Sequence, residues 1–366
     1  MKHIKTQKTY NPKTDIDQKI FRDNCIFFDI ETTGLSSANS MIYLIGTMRK
    51  SGDFVIIDQF FAENKTDEQE ILISFLELLK EKDTILSFNG NGFDIPFIKQ
   101  RCKKYGIKAN LEQYCSIDIY RLATQMKFLL KLPNYKQKSI ETFLDIQRDD
   151  RFSGGELIEV YEDYLITHNP ESEKFLLLHN YEDVLGMLEL LPIFVYTEIL
   201  NGAYQVSNTQ LLPYTTFEGE NGHELIITLT TDYTVLKPIS CRKEGFYLTI
   251  NENIGKLRIP VYEGELKFFY KIYKDYYYLP KEDMAIHKSL ADFVDKEFKE
   301  KAKACNCYTR KSGMFVPQIQ SLFQPEFREK HKDKLSYLEY NEMFTTPNDF
   351  LYDYVNHIFQ YFLLNK

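Results

Sequence analysis

Four carboxylate side chains in three separate segments are the residues of this sequence best suited to chemistry. They are Asp29 and Glu31 in FFDIETTGL, Asp94 in NGNGFDIPF and Asp183 in HNYEDV. Carboxylate oxygens are the ligands that hard divalent cations prefer. Two such cations can hold the attacking water and the leaving oxygen of an in-line displacement at phosphorus. Taken in this order, the segments predict a two-metal site that hydrolyses phosphodiester bonds.

The first segment predicts a buried strand that ends in two acids. Residues 25–30, CIFFDI, are apolar apart from Asp29, as is typical of a buried strand. Because side chains alternate along a strand, Asp29 and Glu31 should point to the same face. Their mutual repulsion and burial are unfavourable, and a bound cation would offset both. The alternative is a strand end with two solvated acids. Thr32, where the chain begins to turn, is a candidate nucleic-acid contact.

The second segment predicts a strand, a glycine-rich loop and the start of a helix. Residues 84–88, TILSF, resemble a short strand, and residues 89–92, NGNG, tolerate positive φ angles. Pro96 suits the first turn of a helix that opens just after Asp94. A nucleic-acid strand beside this acid would explain why a glycine-rich loop brings the protein backbone close to it. The alternative is that Asp94 only caps the helix. The candidate nucleic-acid contacts here are Asn89, Asn91 and Phe93.

The third segment predicts a helix with a polar pair on an otherwise apolar face. Residues 175–191 carry apolar side chains at helical spacing, and Asp183 interrupts that pattern near its middle. His179 lies four residues earlier, one turn away on the same face. The pair suggests a cation beside the helix and proton transfer by His179. The alternative is a histidine that belongs to the core or its rim.

These segments and the stretches between them resemble the YprB-type ribonuclease H-like family, within the DEDD 3′–5′ exonuclease superfamily. The resemblance runs from about residue 26 to residue 191. It implies a mixed five-stranded sheet flanked by helices, two Mg²⁺ or Mn²⁺ ions, and hydrolysis of nucleic acid from a 3′ end. The matching linking stretches are SIDIYRL (116–122), LPNYKQKSIETFLDIQRDD (132–150) and GGELIEVYEDYL (154–165). The four metal ligands that the resemblance implies are Asp29, Glu31, Asp94 and Asp183.

His179 departs from the pattern of that superfamily. Its exonucleases carry a tyrosine four residues before the last acid, or a histidine five residues before it. This chain has His179 in the first position and Leu178 in the second. His179 could orient the attacking water, or that water could have another partner.

Three further charged residues lie near the acids in the sequence. Asp118, in CSIDIYRL, either holds Asp29 or a water molecule or caps the following helix, which the sequence slightly favours. Lys99 and Lys103 share one helix face beyond Asp94, and could follow a phosphate backbone or form a solvated surface. The net charge of −8 does not exclude a nucleic-acid partner, because charge distribution matters more than the sum.

Length and composition predict two domains. The chain has 366 residues, of which 43% are hydrophobic, enough for two cores. It has neither an apolar stretch long enough to span a membrane nor an apolar leader. The six cysteines are expected to be reduced thiols in the cytoplasm. We expect a basic N-terminal extension over 1–22, a ribonuclease H-like exonuclease domain over 23–200 and an α+β accessory domain over 201–366.

The second half predicts an antiparallel meander and two helices. Residues 204–216 are expected to form a connector. Further along, FFYKIYKDYYYLP (268–280) alternates aromatic rings with lysines. This alternation suits either stacking on single-stranded nucleic acid or a β-sheet core. The predicted strands are 224–230, 245–251, 256–262 and 265–273, with helices at 289–304 and 347–364.

Three functional hypotheses follow from the sequence. The first is a metal-dependent 3′–5′ exonuclease that acts on single-stranded ends. The second is a catalytically silent protein on the same fold that binds nucleic acid or serves as a scaffold. The third is a nuclease whose C-terminal domain binds a protein partner. No motif reports a contact to a ribose 2′-hydroxyl, so DNA and RNA both stay candidate substrates.

Overall fold

The computed structural model describes residues 1–12, 14–146, 154–215, 219 and 221–364. Residues 147–150 of the family-like stretch 132–150 lie outside the described residues. The chain divides into two compact units, Met1–Thr197 and Glu198–Lys366. Among the described residues, no helix combines the length and apolar character needed to cross a membrane.

The first unit contains a six-stranded mixed sheet in the order β1-β4-β3-β2-β5-β6. Strands β1 to β4 are antiparallel, whereas β5 runs parallel to both β2 and β6. The predicted sheet is therefore present with one additional edge strand, β1, from the segment considered an N-terminal extension. Its strands are β1 (Lys2–Thr9), β2 (Cys25–Thr32), β3 (Ile42–Ser51), β4 (Phe54–Phe61), β5 (Thr84–Ser87) and β6 (Cys115–Asp118).

Helices cover both faces of this sheet. Phe28 of β2 contacts Phe75 on one face, and Phe61 of β4 contacts Tyr161 on the other. Because side chains alternate between the two faces along a strand, Phe28 and Phe61 point to opposite faces of the sheet. Helix α2, which carries Phe75, and helix α7, which carries Tyr161, therefore cover opposite faces. The helices are α1 (Asp15–Ile20), α2 (Glu68–Leu79), α3 (Asp94–Lys104), α4 (Ile119–Gln125), α5 (Lys127–Leu130), α6 (Gln137–Phe143), α7 (Gly154–Thr167), α8 (Pro170–Glu189) and α9 (Phe194–Leu200), the last of which runs into the second unit.

The second unit is built on an antiparallel sheet, which confirms the predicted α+β class. Strands β16, β15, β11, β10 and β9 follow one another, and β8 pairs with both β11 and β7. A separate three-stranded sheet has the order β13-β12-β14. The strands are β7 (Tyr204–Thr215), β8 (Asn221–Thr231), β9 (Ile239–Lys243), β10 (Phe246–Asn251), β11 (Ile254–Phe269), β12 (Tyr276–Leu279), β13 (Met284–His287), β14 (Glu300–Lys301), β15 (Tyr308–Gln318) and β16 (Ser336–Glu339). The helices are α10 (Lys288–Ala291) and α11 (Asp349–Leu363).

Two strand predictions in this unit were wrong. The supposed connector forms the long strand β7, paired with β8 along its length. Its polar sequence reflects an exposed edge strand, and Thr216 lies outside the described residues. The break expected between the predicted strands 256–262 and 265–273 is absent, because Glu263 and Gly264 pair with Met314 and Gly313 of β15 and the strand continues.

Of the two helices predicted here, one is confirmed. The helix expected over 347–364 is α11, which buries an apolar face. The helix expected over 289–304 was wrong, since the segment holds the four-residue α10, a short 3₁₀ turn and β14. Leu290 and Phe293 are 59% and 89% exposed. A long helix there would lack the buried apolar face from which helices in proteins gain most of their stability.

Candidate metal centre

Strand β2 presents two acids on one face of the first sheet. Asp29 pairs with Gly46 of β3, and Glu31 pairs with Leu44 two residues further along. Both carboxylates are half-buried. The strand is stabilised by the apolar residues before them, which are almost completely buried. The alternation predicted from the sequence therefore aims the two acids into the same space.

Asp94 reaches these acids from the first residue of α3. Its side chain is 4% exposed and accepts a hydrogen bond from the Ile30 amide at 3.2 Å. The residue that caps α3 is Phe93, so Asp94 is not the N-cap of the helix. Gly90 is required in the loop before it, because a Cβ atom there would lie 2.2 Å from Ser87 Oγ.

Helix α8 supplies the remaining predicted residues. His179 Nε2 lies 3.0 Å from Asp183 Oδ2, one turn away, and 3.8 Å from Glu31 Oε1 on β2. The ligand atoms of these three residues all lie within 4.8 Å of one another. The charges of Glu31, Asp94 and Asp183 also act on Asp29, so the structure brings together all five residues for which the sequence suggested catalysis or metal binding. Among the described residues, only Glu31, His179 and Asp183 form a ligand set of that close spacing.

Burial, with a smaller effect of neighbouring acids, raises the pKa values of the clustered carboxylates. Burial raises the pKa of Asp29 well above its usual range, and the charges of Glu31, Asp94 and Asp183 raise it further. Burial raises the pKa of Glu31 to about 8 despite the opposing effect of His179. Burial likewise raises the pKa of Asp94 to about 7. Each shift reports the unfavourable free energy of a charged carboxylate in this environment.

A divalent cation fits this donor set. Four carboxylates and one imidazole converge from one strand and two helices, and such ligands bind hard or borderline divalent cations. A cation would offset both the desolvation and the repulsion that raise the carboxylate pKa values. We therefore take these residues as a candidate metal centre.

Asn180 is a site residue that the sequence analysis missed. This fully buried amide donates from Nδ2 to Asp29 Oδ2 at 3.2 Å. Gln59 of β4 in turn donates to Asn180 Oδ1 at 3.1 Å. A Cβ atom on Gly46 would lie 2.1 Å from Asn180 Oδ1. The signals in the sequence were an asparagine within a helix and a lone glycine within an apolar strand.

Tyr43 is a second residue that the sequence did not indicate. The register of β2 and β3 shifts after Glu31, because Thr32 pairs with Ile42 and leaves Tyr43 as an extra residue. Such bulges re-aim side chains near functional sites. The Tyr43 ring stacks on Tyr161 at 4.0 Å, and its buried hydroxyl has no hydrogen-bond partner among the described residues. Burial, followed by the charge of Glu31, raises its pKa well above the usual range.

Asp118 is the N-cap of the following helix, as the sequence slightly favoured. It caps α4 by accepting a hydrogen bond from the Arg121 amide at 3.2 Å. It also accepts bonds from the amides of Asn89 and Asn91 at 2.9 and 3.1 Å. Asp118 therefore fixes the loop that leads to Asp94, although it holds no metal-ligand candidate directly.

The residues suggested for nucleic-acid contact differ in their surroundings. The Thr32 hydroxyl donates to the Gly34 carbonyl at 2.9 Å, and the Phe93 ring contacts Phe97 at 5.4 Å. Lys99 forms an ion pair with Glu112. The other candidates are Asn89 and Asn91 on the loop and the exposed Lys103 on α3.

Aromatic residues of the 268–280 motif contact other aromatic rings of the second unit. Tyr270 stacks on Tyr276 at 4.3 Å, and Phe268 contacts Phe327 at 5.9 Å, as expected for a β-sheet core. Cys307 is buried and Cys305 is exposed. No metal-binding cluster includes either cysteine among the described residues.

Comparisons with known proteins give the following similarities. Residues 26–194 match the sequence model of a family described as the RNase_H superfamily. The uncharacterized protein YprB of Bacillus subtilis is 26% identical over 193 residues, covering 52% of this chain and 44% of YprB. A DNA polymerase of Pyrococcus glycovorans is 36% identical over 93 residues, covering 23% of this chain and 12% of the polymerase. This chain therefore spans less than half the length of either relative.

Two solved structures share similarity at lower identity. The family B DNA polymerase of Pyrobaculum calidifontis aligns with 69% of this chain and 35% of its own, with 16% identity and a TM-score of 0.37. The zinc-bound exonuclease I of E. coli in complex with single-stranded DNA aligns with 58% of this chain and 55% of its own. That alignment has 12% identity and a TM-score of 0.33.

Proposed function

Because residues 26–194 form a ribonuclease H-like domain, as the sequence resemblance predicted, we propose that this protein is a metal-dependent nuclease. One observation carries the proposal: acids from β2, α3 and α8 meet with His179 around one small space. Burial is the main cause of the raised pKa values of Asp29 and Glu31, and neighbouring acids raise them further, so the ion pair with His179 does not neutralise the cluster. Perturbed carboxylates of this kind are typical of functional sites.

Within this proposal, two divalent cations, Mg²⁺ or Mn²⁺, are the cofactors. They would stabilise negative charge on the scissile phosphate and lower the pKa of a water molecule. The residues that would hold them are Asp29, Glu31, Asp94 and Asp183.

The surrounding protein groups orient these ligands. The Asn180 amide fixes one oxygen of Asp29, and the Ile30 amide fixes one oxygen of Asp94. Hydrogen bonds of this kind set the direction of a ligand and increase metal affinity. Asp118 holds the loop of Asn89 and Asn91 in the same way, so it fixes the position of the two asparagines that we assign to the substrate.

The finer features of the reaction rest on the family resemblance. We propose hydrolysis from the 3′ end of a single strand. The proposed nuclease domain is residues 23–200 together with β1, which pairs into the same sheet, and the proposed accessory domain is residues 201–366. The nucleic-acid contacts are assigned to Thr32, Asn89, Asn91, Phe93, Lys99 and Lys103. A cytoplasmic location belongs to the same proposal, because nucleic-acid ends and reduced thiols occur there together.

An end-labelling assay tests this function. The purified chain is incubated with 3′- or 5′-labelled single-stranded DNA and RNA and Mn²⁺ or Mg²⁺. We expect metal-dependent shortening from the 3′ end, and a loss of about 100-fold or more in Asp29→Asn and Asp183→Asn. The matched control is Asp53→Asn, which replaces an exposed acid on the β3–β4 turn and should keep full activity.

The same assay addresses the silent alternative, which is favoured by the histidine in the usual tyrosine position. Binding of single strands without shortening, with either metal and either sugar, would overturn the nuclease and support a binding protein. Shortening from the 5′ end would retain the nuclease and reject its proposed polarity.

A further inference from the structure

We infer that His179 is itself a metal ligand, and that it makes the centre prefer first-row transition cations to Mg²⁺. The inference rests on the metal-binding part of the proposed function, and it assigns His179 a role other than that of a base for the attacking water. Its evidence is the position of the imidazole relative to the acids on either side.

The distances around Nε2 suit a shared cation. Ligand atoms bound about 2.1 Å from one cation lie roughly 3.0–4.2 Å apart, depending on the angle between them. His179 Nε2 lies 3.0 Å from Asp183 Oδ2 and 3.8 Å from Glu31 Oε1. Both separations fall within that range, and they join ligand atoms from two different elements.

The imidazole faces the acids and is largely withdrawn from solvent. The side chains of His179 and Glu31 are 12% and 15% exposed, so Nε2 points into the cluster. A cation can bind between them, since neutral imidazole and carboxylate both offer lone pairs.

The acids divide into two groups by their other contacts. Asp29 and Asp94 are engaged by the amides of Asn180 and Ile30, whereas Glu31 and Asp183 are the two that face His179. A histidine and an acid four residues apart on a helix can bind one metal together. We therefore assign His179 to the cation that Glu31 and Asp183 bind.

A nitrogen ligand changes the metal that the centre selects. Mg²⁺ requires near-ideal octahedral geometry with oxygen ligands and loses water reluctantly. Imidazole suits transition cations, whose affinities rise from Mn²⁺ along the first row. Replacement of His179 by tyrosine, the residue usual at this position, should therefore reduce the preference for Mn²⁺ over Mg²⁺.

Pulsed electron paramagnetic resonance of the Mn²⁺-loaded full chain tests the inference without an activity assay. We expect coupling between Mn²⁺ and a histidine nitrogen, identified by ¹⁵N-histidine labelling. The coupling should disappear in both His179→Asn and His179→Tyr, and Mn²⁺ affinity relative to Mg²⁺ should fall about tenfold or more. His168→Asn, which changes an exposed histidine of the same unit, should retain both.

The outcomes separate this inference from the proposed nuclease. Mn²⁺ binding with no histidine coupling in the wild type, or coupling that persists in a folded His179→Tyr, would overturn the inference even if nucleic acid is cleaved. Coupling lost only with His179 would support it even if no substrate is cleaved, in which case the nuclease proposal fails alone. Failure to bind Mn²⁺ would overturn the inference and the proposed metal centre.

Discussion

The buried carboxylate of Asp94 lowers the stability of the metal-free protein when it is charged. Its pKa is raised to about 7, so the folded state favours the protonated form. A carboxyl with a raised pKa contributes stability that is present below its unfolded pKa of about 4 and is lost as the pH rises through about 7. Above pH 7, therefore, the charged Asp94 destabilises the metal-free protein.

Substitution Asp94→Asn should consequently raise the melting temperature of the metal-free protein. Asparagine keeps an oxygen for the Ile30 amide and removes the charge. We expect a gain of about 2 °C or more at pH 8, which shrinks as the pH falls towards 4 because the wild-type carboxyl becomes protonated. Cleavage should be lost at every pH. Thermal melts at pH 8 and pH 5 check this, with Asp53→Asn as the control.

A melting temperature for Asp94→Asn at or below that of the wild type at pH 8 would contradict this account. It would mean that Asp94 is compensated in the metal-free protein by a positive group. Such stability gains on removal of a site residue are the usual sign that function and stability are in conflict there.

At the scale of elements, the site depends on how closely α8 approaches β3. Gly46 leaves room for the Asn180 amide, since a Cβ atom there would lie 2.1 Å from Asn180 Oδ1. The same amide orients Asp29. The helix that carries His179 and Asp183 is therefore positioned by a strand residue that has no side chain.

Gly46→Ala should displace α8 and impair both stability and activity. Overpacking of a core typically costs about 1–3 kcal/mol, and we expect a loss of that size together with a large fall in cleavage. The double substitution Gly46→Ala/Asn180→Ala should recover much of the stability but not the activity, because Asp29 would still lack its amide donor. Chemical denaturation and the end-labelling assay measure the two effects.

Gly313→Ala is the matched control, since its nearest neighbours would lie 3.8 Å away or more. It should change stability by less than the Gly46 substitution. Equal losses for the two glycines, or a double variant with normal cleavage, would show that the approach of α8 to β3 does not position the site.

Local patterns predicted the elements that carry the acids. The apolar run before Asp29 and the helical spacing around Asp183 each correspond to an element in the structure, namely β2 and α8. These signals are strong because the apolar run of β2 is buried on both faces of the sheet and α8 buries one face of its helix. The residues that sequence analysis missed, Tyr43 and Asn180, act through contacts between elements. The Tyr43 bulge in particular depends on a register shift that no single segment encodes.

The second unit shows where local patterns were insufficient. Strand β7 has an alternating burial pattern with many exposed residues, so its sequence looked like a connector. Pairing with β8, rather than its own composition, makes it a strand. Strand β11 likewise contains a glutamate–glycine pair that is typical of a turn. The strand continues through this pair because β15 supplies its hydrogen-bonding partners. Sheet pairing between distant segments was the missing information in both cases.

At the scale of the whole molecule, metal binding should stabilise only one of the two compact units. The candidate ligands all lie within Met1–Thr197, whereas Glu198–Lys366 has its own buried clusters. A cation that binds only the folded state stabilises it by about 2.7 kcal/mol at a concentration 100 times its Kd. That free energy corresponds to about a 100-fold slower exchange of amides that open by unfolding of the unit.

Hydrogen exchange with and without Mn²⁺ should therefore show protection confined to the first unit. We expect the slowest amides of β2 and α8 to exchange up to about 100-fold more slowly, with little change in β11 and α11. Asp183→Asn should remove the effect, and Asp53→Asn should keep it. Equal protection of both units would mean that they unfold as one cooperative body. No protection in either unit would exclude a metal centre formed by these acids.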